Sequence, residues 1–167
     1  MTASVFVGVS VDGFLARPDG ALDFLPENAE PHGYEEFIAG VDAIVIGRKT
    51  FDIVLAFPDW PYGSKRVVVL SSGTIDDPRV EHMSGAPAEI VARLEATGAK
   101  HLYIDGGITI QEFLRAGMID RLIVTRVPVL IGEGIPLFGK LAADVQLRHV
   151  ATRAFPSGLV QSEYEVL

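Results

Sequence analysis

Three short apolar runs in this sequence each end in residues suited to holding phosphate. The runs cover residues 43–46, 67–70 and 102–104, and they are followed by Gly47-Arg48-Lys49-Thr50, Ser71-Ser72 and Asp105-Gly106-Gly107. The first and third lead into helix-like patterns. In an open α/β sheet, ligands bind beyond the carboxyl ends of the strands, where a helix N-terminus offers free N–H groups and partial positive charge. Three such junctions predict a long, multiply phosphorylated ligand, most simply a dinucleotide.

Composition narrows the class of protein. The 167 residues fit a single domain spanning residues 1–167. A net charge of −8 argues against a general nucleic-acid or anionic-membrane surface. The absence of cysteine excludes disulfides, thiolate catalysis and cysteine-based zinc sites. Neither a signal peptide nor an apolar run long enough for a membrane span is found, so we expect a cytoplasmic protein without nucleic-acid or membrane partners.

The order of the patterns along the chain predicts the sheet type. Strand-like and helix-like segments alternate through the first two thirds, which favours a parallel sheet. Helical spacing near residues 88–97 and 110–114 is followed in each case by a glycine that suits a helix C-terminus. The last segments, 145–154 and 159–166, read as strands joined by a Pro-Ser-Gly turn. We therefore predict an α/β fold with an antiparallel hairpin at one edge.

The first junction combines a glycine, two cations and a hydroxyl. Gly47 would let the backbone approach a phosphate, and Thr50 could cap the helix or donate its hydroxyl. Arg48 and Lys49 oppose the helix dipole at about 0.3–1 kcal/mol each, so a bound anion would be the natural compensation. The alternative interpretation is a solvated basic turn.

The other two junctions are open to both functional and structural interpretations. Ser71 and Ser72 could bind a ribose or its 2′-phosphate, or could form an ordinary turn. Gly106 and Gly107 suit a pyrophosphate lying on the backbone, whereas the alternative is a tight turn with Asp105 as helix N-cap. Because a carboxylate would repel an adjacent anion, we expect Asp105 to face another part of the ligand.

Two further features concern ligands. Residues 10–16 mix a flexible turn with apolar side chains, which suits either a lid over a flat aromatic ring or a surface loop with apolar anchors. The four histidines are scattered without ligand-like spacing, so no metal site is predicted.

Taken together, the segments resemble the dihydrofolate reductase-like superfamily. They are most similar to the reductase domain of the bifunctional riboflavin-biosynthesis deaminase–reductases and to its free-standing relatives. The matching segments, in family order and spanning nearly the whole chain, are residues 10–16, 45–51, 103–107, 113–119 and 128–138.

This resemblance implies a three-layer fold and a cofactor. The fold would be a mostly parallel mixed sheet of about eight strands, with helices on both faces and an antiparallel C-terminal hairpin. The cofactor would be NADPH, with the loop containing Asp12 and Gly13 lying against the nicotinamide. The cofactor-binding residues implied by the resemblance are Gly13, Gly47, Arg48, Lys49, Thr50, Ser71, Ser72, Gly106, Gly107, Ile108 and Thr109.

The resemblance also implies a reaction on a small-molecule substrate. Hydride would be delivered to a C=N or ribosylamine-type carbon, as in 5-amino-6-(5-phosphoribosylamino)uracil reductase. Asp105 is the first candidate for the accompanying proton and Asp12 the second. The family usually has glutamate where this chain has Asp105, and no deaminase zinc motif precedes the reductase segments. Only the reductase half of the bifunctional activity is therefore expected.

Three alternatives remain open at this point. The chain could be a dihydrofolate reductase-like enzyme acting on another substrate. Glu35 and Glu36 lie in the region where true dihydrofolate reductases carry a substrate-binding acid, and spacing does not select either. It could be a non-catalytic NADP-binding regulator. A flavodoxin-like module is a third possibility, although residues 10–13 replace the hydroxyl-rich phosphate loop that such a module needs. We also expect a two-fold homodimer, because the apolar stretch 124–137 exceeds what one edge strand of a small monomer would bury.

Overall fold

The computed structural model describes residues 1–167 as ten strands and four helices. The strands are β1 (Thr2–Ser10), β2 (Phe14–Ala16), β3 (Ala43–Gly47), β4 (Arg66–Leu70), β5 (Glu81–Met83), β6 (His101–Asp105), β7 (Arg121–Val127), β8 (Ile135–Pro136), β9 (Leu147–Ala154) and β10 (Val160–Val166). The helices are α1 (Tyr34–Ala39), α2 (Arg48–Leu55), α3 (Pro87–Ala96) and α4 (Gly107–Arg115).

Eight of the strands form one mixed sheet in the order β5-β4-β3-β6-β1-β7-β10-β9. The first six strands in this order pair in parallel, and β10 runs antiparallel to both β7 and β9. The middle residues of the central strands β3, β4 and β6 are apolar and buried because helices cover both faces of this part of the sheet. This architecture confirms the predicted fold class, including the antiparallel C-terminal hairpin.

The helices divide between the two faces of the sheet. Phe37 of α1 and Phe51 of α2 pack with Ile44 and Ile46 of β3 on one face. Side chains of α3 and α4 pack on the other face against alternate residues of the same strands. None of the four helices combines the length and apolar composition needed to cross a bilayer.

Several short elements differ from the sequence prediction. Helix α2 begins at Arg48 rather than at Thr50, so both cations lie within its first turn. The edge strand β5 was not predicted, because its three residues are too short to show an alternating pattern. Residues 14–16 are not a free loop, since β2 pairs antiparallel with β8 in a two-stranded ribbon.

The apolar stretch 124–137 has a different role from the one expected. Strand β7 ends at Val127 and lies inside the sheet between β1 and β10, so it is not an edge strand. The stretch then forms a loop and β8, and Leu137 is buried in the core. Val124, Val127 and Leu137 are therefore buried within the chain, whereas Leu130 is 70% exposed. The edge-strand part of the argument for a dimer is wrong. The homodimer itself stays a prediction, and a monomer at micromolar concentration in light scattering would refute it.

Candidate active site

A cavity of about 740 Å³ lies at the carboxyl edge of the parallel strands. Its lining includes nine of the residues that the sequence predicted for cofactor or catalysis. They are Gly47, Arg48, Lys49, Thr50, Asp105, Gly106, Gly107, Ile108 and Thr109. The first and third phosphate-type junctions of the sequence therefore meet in one place.

The topology explains why these two junctions meet. Strands β3 and β6 are parallel neighbours, and Ile46 pairs in register with Asp105 at their carboxyl ends. The helices that follow them diverge, since α2 packs on one face of the sheet and α4 on the other. Such a divergence opens a crevice between the two strand ends, which is the usual ligand site of open α/β sheets.

The N-termini of α2 and α4 both lack protein groups that would neutralise them. Neither helix has a side-chain cap or an acidic residue in its first turn. By contrast, Glu89 in the first turn of α3 accepts a hydrogen bond from the Ala86 N–H at 3.2 Å. The first-turn N–H groups and positive dipole ends of α2 and α4 are thus available at the cavity, where they favour an anion.

Two glycines allow the junctions to approach each other closely. A Cβ on Gly47 would lie 2.7 Å from Oγ1 of Thr109, and a Cβ on Gly106 would collide with Oγ1 of Thr50. Each glycine thus faces the threonine of the opposite junction. Gly106 also has φ +94°, which side chains rarely adopt. These glycines are required by the fit between the two loops, in addition to any contact with a phosphate.

Gly107 has a different neighbour. A Cβ on this residue would lie 3.0 Å from both Cγ2 of Ile135 and the carbonyl oxygen of Pro136, and 3.4 Å from Cδ1 of Leu15. These atoms belong to the β2–β8 ribbon. A bulky side chain at position 107 would therefore displace the ribbon, and its effect on ligand binding would not isolate a phosphate contact.

Of the two cations in the first junction, Arg48 forms an ion pair within the chain and Lys49 does not. Nε of Arg48 donates to Oδ1 of Asp52 at 3.1 Å, in an exposed pair one helical turn apart. Lys49 is exposed and makes no ion pair within the chain. An exposed pair of this type contributes little to stability, so Arg48 can turn to a ligand at small cost.

Asp105 ends β6 at the cavity, on the face of the sheet that carries α1 and α2. Its side chain is half-buried, and Oδ1 accepts a hydrogen bond from the Gly106 N–H at 2.9 Å. Burial raises the pKa of Asp105 to about 6, against the opposing effects of that N–H and of the Tyr103 hydroxyl. The carboxyl makes no capping bond to the first turn of α4, so the structure does not support its interpretation as an N-cap.

Three tyrosines surround Asp105, and the sequence analysis missed all of them. Tyr34, Tyr62 and Tyr103 line the cavity, and the Tyr103 hydroxyl donates to the Phe6 carbonyl at 3.1 Å. Burial raises the pKa of each tyrosine, and the negative charge of Asp105 raises it further. Tyr103 could have been found, because it lies two residues before Asp105 and so on the same face of a strand. Tyr34 and Tyr62 have no local signal.

Several predicted residues lie outside the lining of this cavity. The Asp12 carboxylate accepts hydrogen bonds from the Gly132 N–H at 2.8 Å and the Ile131 N–H at 3.3 Å. The Ser10 hydroxyl first, and then these two N–H groups, lower the pKa of Asp12. Asp12 therefore holds the loop between β7 and β8 and keeps its own loop in place.

The other predicted residues outside the lining are Gly13, Ser71 and Ser72. The Ser71 hydroxyl accepts a hydrogen bond from the Gly73 N–H at 3.2 Å, as in an ordinary turn, and Ser72 is exposed. Glu35 and Glu36 are exposed on α1, and neither lines this cavity. The α1 residue that does so is Tyr34.

Comparison with known sequences decides the family. The profile of the RibD C-terminal domain matches residues 2–161, which is almost the entire chain. The chain belongs to the RibD C-terminal domain family. This RibD-type domain is also 35% identical over 159 residues to the uncharacterized protein YwjB of Bacillus subtilis, with 90% of each chain covered.

Solved structures agree with this assignment. A protein from Shewanella sp. PV-4, whose name assigns it to riboflavin biosynthesis, is 38% identical and superposes with a TM-score of 0.92 over 100% of this chain and 99% of its own. The dihydrofolate reductase of Enterococcus faecalis, solved with NADP(H), is 22% identical with a TM-score of 0.68, covering 99% and 94% of the two chains. The latter likeness places the RibD-type domain in the dihydrofolate reductase-like fold.

Proposed function

We propose that this protein is an NADPH-dependent reductase acting on a C=N or ribosylamine-type carbon of a small heterocyclic substrate. The observation that carries the proposal is the pair of uncapped helix N-termini, α2 and α4, which meet at one cavity. The pyrophosphate of a dinucleotide has two adjacent anionic groups, so it can accept N–H donors from both helices at once. Membership of a family that contains reductase domains supports the same class of reaction.

The residues around the cavity fit the remaining parts of NADPH. Arg48 and Lys49 stand at the N-terminus of α2 and would hold the 2′-phosphate. Ser71 and Ser72 follow the adjacent strand β4, and would reach the ribose only at the outer rim of the site. Gly13 and Asp12, in the loop before β2, would support the nicotinamide side indirectly by holding the β2–β8 ribbon in place.

The chemistry follows from the groups that surround Asp105. When bound, NADPH would supply a hydride to the carbon of the C=N bond, whose nitrogen takes up one proton. Asp105 can hold that proton near neutral pH because burial raises its pKa to about 6. The hydroxyls of Tyr34 and Tyr62 remain protonated and can orient the substrate as hydrogen-bond donors, whereas the Tyr103 hydroxyl already donates to the Phe6 carbonyl. Asp12 is the weaker candidate because its carboxylate is already engaged by two backbone N–H groups.

Cofactor binding can be followed through the single tryptophan. The ring centroid of Trp60 lies 5.3 Å from that of Tyr62, and Tyr62 lines the cavity. We expect saturable quenching of Trp60 fluorescence by NADPH, and steady NADPH oxidation when the true substrate is added. Saturable binding with no NADPH oxidation across ribosylaminopyrimidine, pterin and imine substrates would instead support a regulator. Absence of NADPH binding would overturn the proposal.

Replacement of Arg48 by alanine tests the cofactor preference. A charge-assisted hydrogen bond to the 2′-phosphate is worth about 1.5–3 kcal/mol, so Arg48→Ala should weaken NADPH by about tenfold or more while hardly changing NADH. The matched variant Asp52→Asn removes the partner of Arg48 and should leave NADPH affinity equal or higher. Equal losses of affinity for both cofactors would indicate that Arg48 contacts the pyrophosphate instead. No loss of affinity for either cofactor would contradict the proposed site. Calorimetric titration of both cofactors makes the comparison.

A further inference from the structure

We propose that the substrate of this site carries no phosphate group and binds as a planar ring with an amino or imino nitrogen facing Asp105. The inference rests on the proposed reductase function and specifies its substrate class. It comes from the distribution of charge and aromatic side chains within the cavity. The 5-phosphoribosyl group of the riboflavin-pathway substrate would not be accommodated.

The charged side chains of the cavity are unevenly distributed. Those that line it are Arg48, Lys49, Asp52, Asp105 and Glu112. Both cations belong to the first turn of α2, at the proposed cofactor end. We call a second set of lining residues the substrate half: Phe6, Leu25, Tyr34, Tyr62, Tyr103 and Asp105. The charge of Asp105 acts on all three of these tyrosines, so they lie around its carboxyl group. The substrate half has one acid and no arginine, lysine or histidine.

The cofactor would engage the cationic groups of the cavity. NADPH has two phosphates in its pyrophosphate and a third on the ribose, against two side-chain cations and two helix N-termini. One of those cations, Arg48, is already shared with Asp52. A phosphorylated substrate would therefore bring a dianion into a half-buried region that contains only the negative charge of Asp105. An unpaired charge in such surroundings binds poorly.

The substrate half instead suits a flat ring. Phe6 and Tyr34 meet edge to face at 5.5 Å between ring centroids, and Tyr34 and Tyr103 do the same at 6.4 Å. Leu25 packs over Gly8, since a Cβ on Gly8 would lie 3.3 Å from Cδ2 of Leu25. These side chains form an apolar wall beside a carboxyl group that accepts hydrogen bonds. A ring stacked on the wall with an N–H directed at Asp105 satisfies both features.

Two compounds that differ only in phosphate provide the test. The protein is first loaded with NADP⁺, which fills the cofactor end and prevents reduction. Binding of 5-amino-6-(5-phosphoribosylamino)uracil is then compared with binding of its dephosphorylated form through Trp60 fluorescence and calorimetry. We expect the dephosphorylated compound to bind at least about tenfold more tightly, which corresponds to about 1.4 kcal/mol. Equal or tighter binding of the phosphorylated compound, or no binding of the dephosphorylated one, would overturn the proposal.

Variants check that charge is the cause. Leu22 lines the cavity and is 37% exposed, so Leu22→Arg adds a cation without emptying the core. It should raise the affinity for the phosphorylated compound by about tenfold. Asp105→Asn should weaken the dephosphorylated compound, whereas Asp52→Asn, which removes an acid at the cofactor end, should not. If Leu22→Arg left the ratio of affinities for the phosphorylated and dephosphorylated compounds unchanged, the proposal would be contradicted. Failure of NADP⁺ itself to bind would overturn the reductase function, and is seen in the loading step.

Discussion

Replacing Asp105 with asparagine is expected to lower turnover of the true substrate by about 10²-fold or more, the usual scale for a lost general acid. The substitution keeps the shape of the side chain and its position beside the Gly106 N–H. NADPH affinity should stay within a few-fold, because the phosphates are held at the two helix N-termini. The measurements are single-turnover oxidation of bound NADPH and NADPH titration of the same variant.

The pH profile separates a proton donor from a passive neighbour. A donor with a pKa of about 6 loses its proton as the pH rises through that value, so the activity of the unmodified protein should fall on the alkaline side. That limb should be missing in Asp105→Asn. Asp12→Asn serves as the control, because it disturbs the other candidate acid. Unchanged turnover in Asp105→Asn would assign the proton to Asp12, to Glu35 or Glu36, or to water.

The same substitution has a consequence for stability. The folded-state pKa of about 6 lies above the ordinary value of 3.8, so between these pH values the folded protein holds a proton that the unfolded chain has lost. The free energy of unfolding therefore falls as the pH rises through this interval, by at most about 3 kcal/mol. Asp105→Asn should raise the Tm at pH 7 and have little effect at pH 4. A lower Tm at pH 7 would mean that the carboxylate is stabilised in its charged form.

Replacing Gly106 with alanine is expected to abolish tight cofactor binding, with a loss of about 10²-fold or more in NADPH affinity. The added Cβ would collide with the Thr50 hydroxyl, and the alanine backbone would have to adopt φ +94°. The two junctions could therefore no longer approach each other as closely. We expect the free energy of unfolding to fall by about 2–4 kcal/mol, because strain and steric overlap add. Urea unfolding and NADPH titration measure the two effects.

Gly117→Ala is the matched control for this variant. Gly117 also has a positive φ, +70°, but a Cβ there would have no atom within 4 Å. It should cost about 1–2 kcal/mol of stability through backbone strain alone and leave NADPH binding unchanged. If Gly106→Ala bound NADPH as well as Gly117→Ala does, the N-terminus of α4 would not contact the cofactor.

The sequence predicted the parts of the site that follow long buried strands. The glycines after β3 and β6 stand beside apolar runs whose strand character is clear, and parallel strands bring their carboxyl ends to one edge. Their close mutual fit was not predicted, because nothing local indicates that Gly47 faces Thr109. The pairing depends on two strands that are distant in sequence.

The tyrosines around Asp105 and the β2–β8 ribbon could not be predicted from sequence patterns. Tyr34 and Tyr62 come from segments separated from Asp105 by tens of residues, and only the folded chain brings them to its carboxyl group. Strand β8 has two residues, which is too few for any periodicity. For the same reason Asp12 resembled a mobile catalytic acid in the sequence, whereas its carboxylate holds the backbone of the β7–β8 loop.

The divergence of α2 and α4 to opposite faces of the sheet also has a mechanical consequence. Each helix is part of a different hydrophobic core, and the sheet separates the two cores. A dinucleotide that accepts hydrogen bonds from both N-termini would act as a clamp between them. At a ligand concentration of about 100 times Kd, such binding adds about 2.7 kcal/mol to the free energy of unfolding. Amide hydrogen exchange would then slow in both helices together, so that the two sides of the sheet open as one cooperative unit.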